Sequence, residues 1–123
     1  MNKYARIALN AVIDLNNNPS LNPIDAWKNN AEKIYPNKPS AKTKSCPKSA
    51  FLGLCEEGLV LGVKAGSYTT SLRNKDYAIK ALSHLKSNPN LSEKELWSLI
   101  SNIQPNNQMT VVKALYSNGY IVD

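Results

Sequence analysis

Apolar residues recur at the three-and-four spacing of an α-helix almost from one end of this chain to the other. Ala5, Ala8, Leu9, Val12 and Leu15 share one stripe of a helix over residues 3–16, and Asn16 to Ser20 then break the pattern. Asn22 can cap a second helix with Pro23 at its first position, where a missing N–H is harmless. That helix carries Ala26, Trp27, Ala31 and Ile34 and stops near Pro36. Residues 36–45, PNKPSAKTKS, hold two prolines and three lysines with no large apolar group, and read as a loop.

The next segment, SCPKSAFLGLCEEGLVLG, has its apolar residues spread over about 200° of a helical wheel. So wide an arc predicts a helix over 47–62 covered on several sides, at the centre of the fold. Gly53, Gly58 and Gly62 would each cost about 1 kcal/mol in a helix interior. Their expected return is close approach of neighbouring helices, with Gly62 alternatively closing the helix.

After a polar connection over 63–73, Asn74 is expected to cap a helix that turns Tyr77, Ala78, Ala81, Leu82 and Leu85 inward. Ser92 and Glu95 have capping-box spacing, and Leu91 can staple onto Leu96. Leu96, Leu99, Ile100 and Ile103 form the expected stripe of that helix, which Pro105 ends. A last helix runs over 108–118, with Gly119 placed to close it in the left-handed conformation and Tyr120 placed to fold back on Leu115. Tyr120 to Val122 can form a short extended tail. No internal repeat stands out. The elements add up to an all-α fold: one domain over 1–123, a bundle of about six helices around a central buried helix (47–62), with a short extended C-terminal tail.

Composition narrows the function classes. The chain has 123 residues, of which 42% are hydrophobic, enough for a core without staples. No apolar run approaches the ~20 residues that span a bilayer, and the N-terminal MNKYARIALNAVIDL lacks a signal-peptide core. A cytoplasmic location and no membrane partner are expected. The net charge is +6, with the basic excess confined to residues 1–75. A basic surface invites an acidic protein or a small anion as partner.

The two cysteines carry the sharpest chemical question. On one helix, Cys46 and Cys55 would be separated by roughly 13 Å of rise and would point in opposite directions. A disulfide or a shared metal is then excluded, and nothing else in the pattern asks for a metal or cofactor. Cys55 falls within the apolar arc, as a buried thiol. Cys46 falls at a helix N-terminus beside Lys48, where a thiolate is favoured. It is a weak candidate nucleophile or sensor thiol, with His84, the only histidine, as the one available base. Glu56 and Glu57 diverge by about 100°, as helix flanks meeting water or a lysine.

The string Cys46-Pro47-Lys48, one residue, Ala50-Phe51-Leu52-Gly53-Leu54-Cys55-Glu56, one residue, Gly58 resembles a segment of a family of small bacterial proteins. The likeness continues through Asn74-Lys75-x-Tyr77-Ala78 and Gln108-Met109-x-Val111-Val112-x-Ala114-Leu115. The resemblance implies a bacterial origin and a common fold, and brings no catalytic residue with it.

Two further arrangements suggest binding. Thr69, Thr70, Ser71, Arg73 and Lys75 lead into a helix start, where free N–H groups favour an anion. With Lys42, Lys44 and Lys48 from the preceding loop they could form one basic face. Residues 92–118 also have the order of a helix-turn-helix, with Gln104, Asn106, Asn107, Gln108, Thr110 and Lys113 able to face DNA. Against nucleic acid stands the zero net charge of residues 76–123, since phosphate contacts dominate affinity. The leading expectation is a non-enzymatic interaction or binding module, leaning away from an enzyme.

Overall fold

The computed structural model describes residues 1–122 and is an all-α bundle. Helices α1 (Lys3–Asn17), α2 (Pro23–Ile34), α4 (Ser45–Glu56), α5 (Leu72–Ser87), α6 (Glu93–Ser98) and α7 (Gln108–Ser117) are joined by a single turn, α3 (Pro39–Lys42). That turn lies within the stretch expected to be loop; Pro39 opens it, and the Thr43 N–H donates to the Pro39 carbonyl. The expected stripe of α1 is buried, and Tyr4, Ile7 and Ala11 widen it. In α2 the Asn22 side chain accepts from the Asp25 N–H at 2.9 Å, as its position before Pro23 predicts.

Helix α4 is enclosed: every residue from Ser49 to Cys55 is buried, and Phe51 packs on Trp27 with ring centroids 5.3 Å apart. Its expected span of 47–62 is too long. The helix ends at Glu56 because Gly58 adopts φ +72° and closes it. The Leu59 N–H reaches back to Leu54 O and the Gly58 N–H to Cys55 O, which occupies carbonyls the helix would otherwise leave bare. Gly53 is a true interior glycine. A methyl there would lie 2.7 Å from Lys75 Cβ and 2.8 Å from Lys75 Cα, so α5 crosses α4 on bare backbone.

Two other expectations change. Ser71, not Asn74, caps α5, and Asn74 sits buried inside the first turn. The capping box of Ser92 and Glu95 is present, yet α6 stops at Ser98. The Leu99 N–H tightens onto Leu96 O and the chain turns away, leaving Leu99 and Ile103 about half exposed rather than on a buried stripe.

The fold also contains a repeat that identity along the chain hides. Helices α1, α2 and α4 recur as α5, α6 and α7, with α3 an insertion in the first half. Asn18 closes α1 on Asp14 O as Asn88 closes α5 on His84 O. The Ser20 N–H donates to Asn18 Oδ1 as the Asn90 N–H does to Asn88 Oδ1. Asn22 caps α2 where Ser92 caps α6, and Trp27 answers to Trp97. Gly119, at φ +79°, closes α7 with the same pair of hydrogen bonds that Gly58 makes for α4. Beyond each glycine the chain extends, and the two extensions meet in one antiparallel bridge, Val60 to Ile121.

Candidate functional site

Three helix starts converge at one side of the bundle. At α5, Ser71 Oγ accepts from the backbone N–H of Asn74 and, at 3.0 Å, from its side-chain amide. Asn74 Oδ1 accepts from Gln108 Nε2 at 3.2 Å, at the start of α7, and Gln108 Oε1 accepts from the Asn106 N–H at 2.6 Å. Asn74 and Gln108 are buried, and this chain of amides uses up their polar atoms, which burial demands. The starts of α4 and α7 have no side-chain cap, and the residue before α7, Asn107, is held at φ 65°. Between the three starts lies an open cleft of about 640 Å³ bordered by Cys46, Ser71, Arg73, Tyr77, Ile103 and Gln104, among others.

The expected basic face is thereby divided. Cys46, Ser71 and Arg73 come together in this cleft. Lys75 turns the other way and joins Glu56 at 2.5 Å and Glu57 at 2.6 Å, the lysine that these glutamates were expected to meet. The Thr69 N–H, with that of Tyr68, donates to Glu56 Oε1, and Thr69 Oγ1 accepts from the Ser71 N–H. Glu56 thus pins the 62–71 connection to the end of α4. The Lys75 hydrogen bond first, then the two backbone donors, hold its carboxyl down at about 2, against an ordinary 4.5. Lys42 and Lys48 border a separate cleft beside Trp27, Lys44 lies 5.9 Å over the Tyr4 ring, and Thr70 is exposed outside both clefts. Among the described residues Arg73 has no carboxylate partner, so its charge is free to act in the cleft.

Both cysteines are free, Cys46 partly exposed and Cys55 fully buried, where burial pushes its thiol pKa far up. His84 does not border the Cys46 cleft. It lies ten residues along α5 from Asn74, roughly 15 Å of helix rise. That separation leaves Cys46 without a histidine base. No group of three or more metal-ligating side chains occurs among the described residues.

The helix-turn-helix expectation meets two obstacles. Nine residues, 99–107, separate α6 from α7, where the motif uses a turn of about three or four. Gln108, Met109, Thr110, Val111, Val112 and Leu115 of α7 are buried, and no residue from Gln108 to Tyr116 is fully exposed. Only Lys113, Ala114 and Tyr116, partly exposed, and Ser117, exposed, leave α7 an open side. Of the residues proposed for that role, Gln108 instead serves the amide chain, and Thr110 Oγ1 donates to Glu93 at 2.5 Å.

Gln108, Asn74 and Glu56 were missed as organisers of the site. A glutamine at a helix start reads as solvated, and only its packing against Asn74 makes it internal. For Glu56 a signal existed, since a carboxylate near a helix end followed by a hydroxyl-rich connection can satisfy that connection's N–H groups.

Fold and cleft together define a small all-helical bundle of two like halves with an open, cation-bordered hollow at three helix starts. No described helix is long and apolar enough to cross a membrane. The chain belongs to a family of unknown function, DUF6979, whose model matches residues 1–122. No curated protein and no solved structure matches it.

Proposed function

We propose that residues 1–123 act as one domain whose role is non-enzymatic binding, with a small anion or an acidic group of a partner held in the Arg73 cleft. The observation that carries this reading is the Arg73 guanidinium, without a carboxylate partner among the described residues, beside a hollow at three converging helix starts. Two of those starts lack side-chain caps and offer backbone N–H groups, and helix starts favour negative charge. Ser71 adds a hydroxyl whose hydrogen remains to be donated. A guanidinium presents two parallel donors that match a carboxylate or phosphate. Cys46 enters as a neighbour of the bound group, not as a nucleophile. A cytoplasmic setting suits this role, as does the bacterial source that the resemblance around Cys46 to Gly58 implies.

Inorganic phosphate should raise the melting temperature of the full chain, and Arg73→Glu should abolish the rise. Lys42→Glu, in the other cleft, changes net charge equally and should keep it. An equal rise in wild type and Arg73→Glu refutes the reading.

A further inference from the structure

The two halves carry two like clefts, and one of them is narrowed. In the second half, α6 and α7 border a hollow of about 590 Å³ with the buried Trp97 and Met109 at its base and the half-exposed Ile103 on its wall. In the first half the corresponding space lies beside Trp27 and measures about 230 Å³. Its lining residues Trp27, Lys28, Glu32 and Lys48 occupy the positions of Trp97, Ser98, Asn102 and Met109 in the repeat. What differs is the insertion: Lys42 and Thr43, from the α3 segment, border the Trp27 cleft and narrow it. The second half has no counterpart of α3, so the Trp97 cleft stays open at more than twice the volume.

The chemistry of the open cleft selects its occupant. Trp97 is fixed, its ring N–H donating to Ile103 O at 2.7 Å and its ring meeting Tyr77 edge-on at 4.9 Å. Trp97 is 6% and Met109 3% exposed, so each shows only an edge to the hollow, and the half-exposed Ile103 and the exposed Pro105 ring supply the open apolar surface that an aromatic ring can cover. A hollow of this size is within the range that encloses small organic ligands. Ile103 and Pro105 also border the Arg73 cleft, so the two hollows share a wall.

We infer that the Trp97 cleft and the Arg73 cleft are the two ends of one binding site for a small aromatic anion, its ring against Trp97 and Ile103 and its phosphate or carboxylate at Arg73. The inference rests on the anion reading of the Arg73 cleft and names the ligand class that reading leaves open.

The test is a titration of the ¹⁵N-labelled full chain with phenyl phosphate, inorganic phosphate and indole, followed by NMR. Phenyl phosphate should move the indole N–H signal of Trp97 and the side-chain amide signal of Gln108 together, leave that of Trp27 in place, and bind roughly tenfold more tightly than phosphate. Arg73→Glu should weaken phenyl phosphate to the level of indole. Ser98→Phe, on the exposed rim of the Trp97 cleft, should reduce it to the level of phosphate. If phosphate binds as tightly as phenyl phosphate and Trp97 never responds, the aromatic inference is overturned while the anion reading stands. If indole matches phenyl phosphate and Arg73→Glu changes nothing, the joining of the two ends is overturned. Silence from all three probes overturns both readings.

Discussion

Val60 and Ile121 face one another across an antiparallel bridge, and the hydrogen bonds beside it are reciprocal. The Leu61 N–H donates to Tyr120 O at 2.8 Å and the Val122 N–H donates to Leu59 O at 2.9 Å. Each residue of the pair stands two positions after the glycine that closes its helix. Such self-matching contacts are what a two-fold axis produces between identical subunits. Here a single chain makes them with itself, as the halves also cross-pack through α4 on α5 and α1 on α7.

Equivalent glycines should respond alike. Alanine at Gly58 or Gly119 forces a left-handed conformation on a residue with a Cβ, a penalty of about 1–2 kcal/mol. Around Gly119 the space is open, whereas a Cβ at Gly58 comes within 3.3 Å of Ala65 Cβ. Urea denaturation should give losses of similar size, with Gly58→Ala the larger. A negligible loss at both sites would contradict the closure of α4 and α7 by these glycines.

At Gly53 two effects oppose each other. Alanine improves helix propensity by up to about 1 kcal/mol. The added methyl, however, meets the Cα and Cβ of Lys75 at under 3 Å, and backbone cannot step aside as a flexible side-chain end can. Overpacking of that kind costs typically about 1–3 kcal/mol, so the net effect should be destabilising. A melting temperature equal to or above wild type would show that α4 and α5 can separate freely.

Acid should reveal the Glu56 anchor. Its carboxyl is lowered from 4.5 to about 2 in the folded chain. A depressed pKa contributes stability that is complete above the unfolded value and fades as pH falls through the folded one. Stability should therefore decline between about pH 4.5 and 2, in part through Glu56. Glu56→Gln should lower the melting temperature at pH 7 and flatten that decline, the two curves drawing together near pH 2. Parallel curves across the range would remove Glu56 from the account.

The thiols should separate cleanly. Cys55 is fully buried with its pKa pushed far up by burial, whereas Cys46 borders the open cleft. Iodoacetamide should label Cys46 alone in the native chain and both cysteines in denaturant, by mass spectrometry. Bound phosphate should slow the labelling of Cys46, since both occupy one cleft. Equal native labelling of the two thiols would contradict the enclosure of α4.

Helix positions were legible because their signals are local. Asn22 before Pro23, Ser92 three residues before Glu95, and Gly119 before Tyr120 each act within one turn, and each is where the spacing puts it. Failures came where a distant contact outweighed a local preference. The apolar run 59–61 looked like more helix, yet Gly58 turns it out to pair with the C-terminal segment. Leu99 and Ile103 fitted the helical stripe, yet the chain leaves the helix after Ser98. The repeat went unseen because core positions demand bulk and pattern rather than identity: Ile7 stands opposite Tyr77, and Ala26 opposite Leu96.

The sequence alone determined an all-helical bundle, its caps and stops, the buried thiol of Cys55 and the divergence of the two cysteines, because periodicity and capping are properties of neighbours along a chain. The tertiary structure alone decided that Lys75 spends its charge on Glu56 and Glu57, that Arg73 does not, and that Cys46, Ser71 and Gln104 border one hollow. It also decided which of two like clefts the α3 segment would narrow. Those outcomes depend on distances between helix starts far apart in the chain, and such distances are set only when the apolar faces pack.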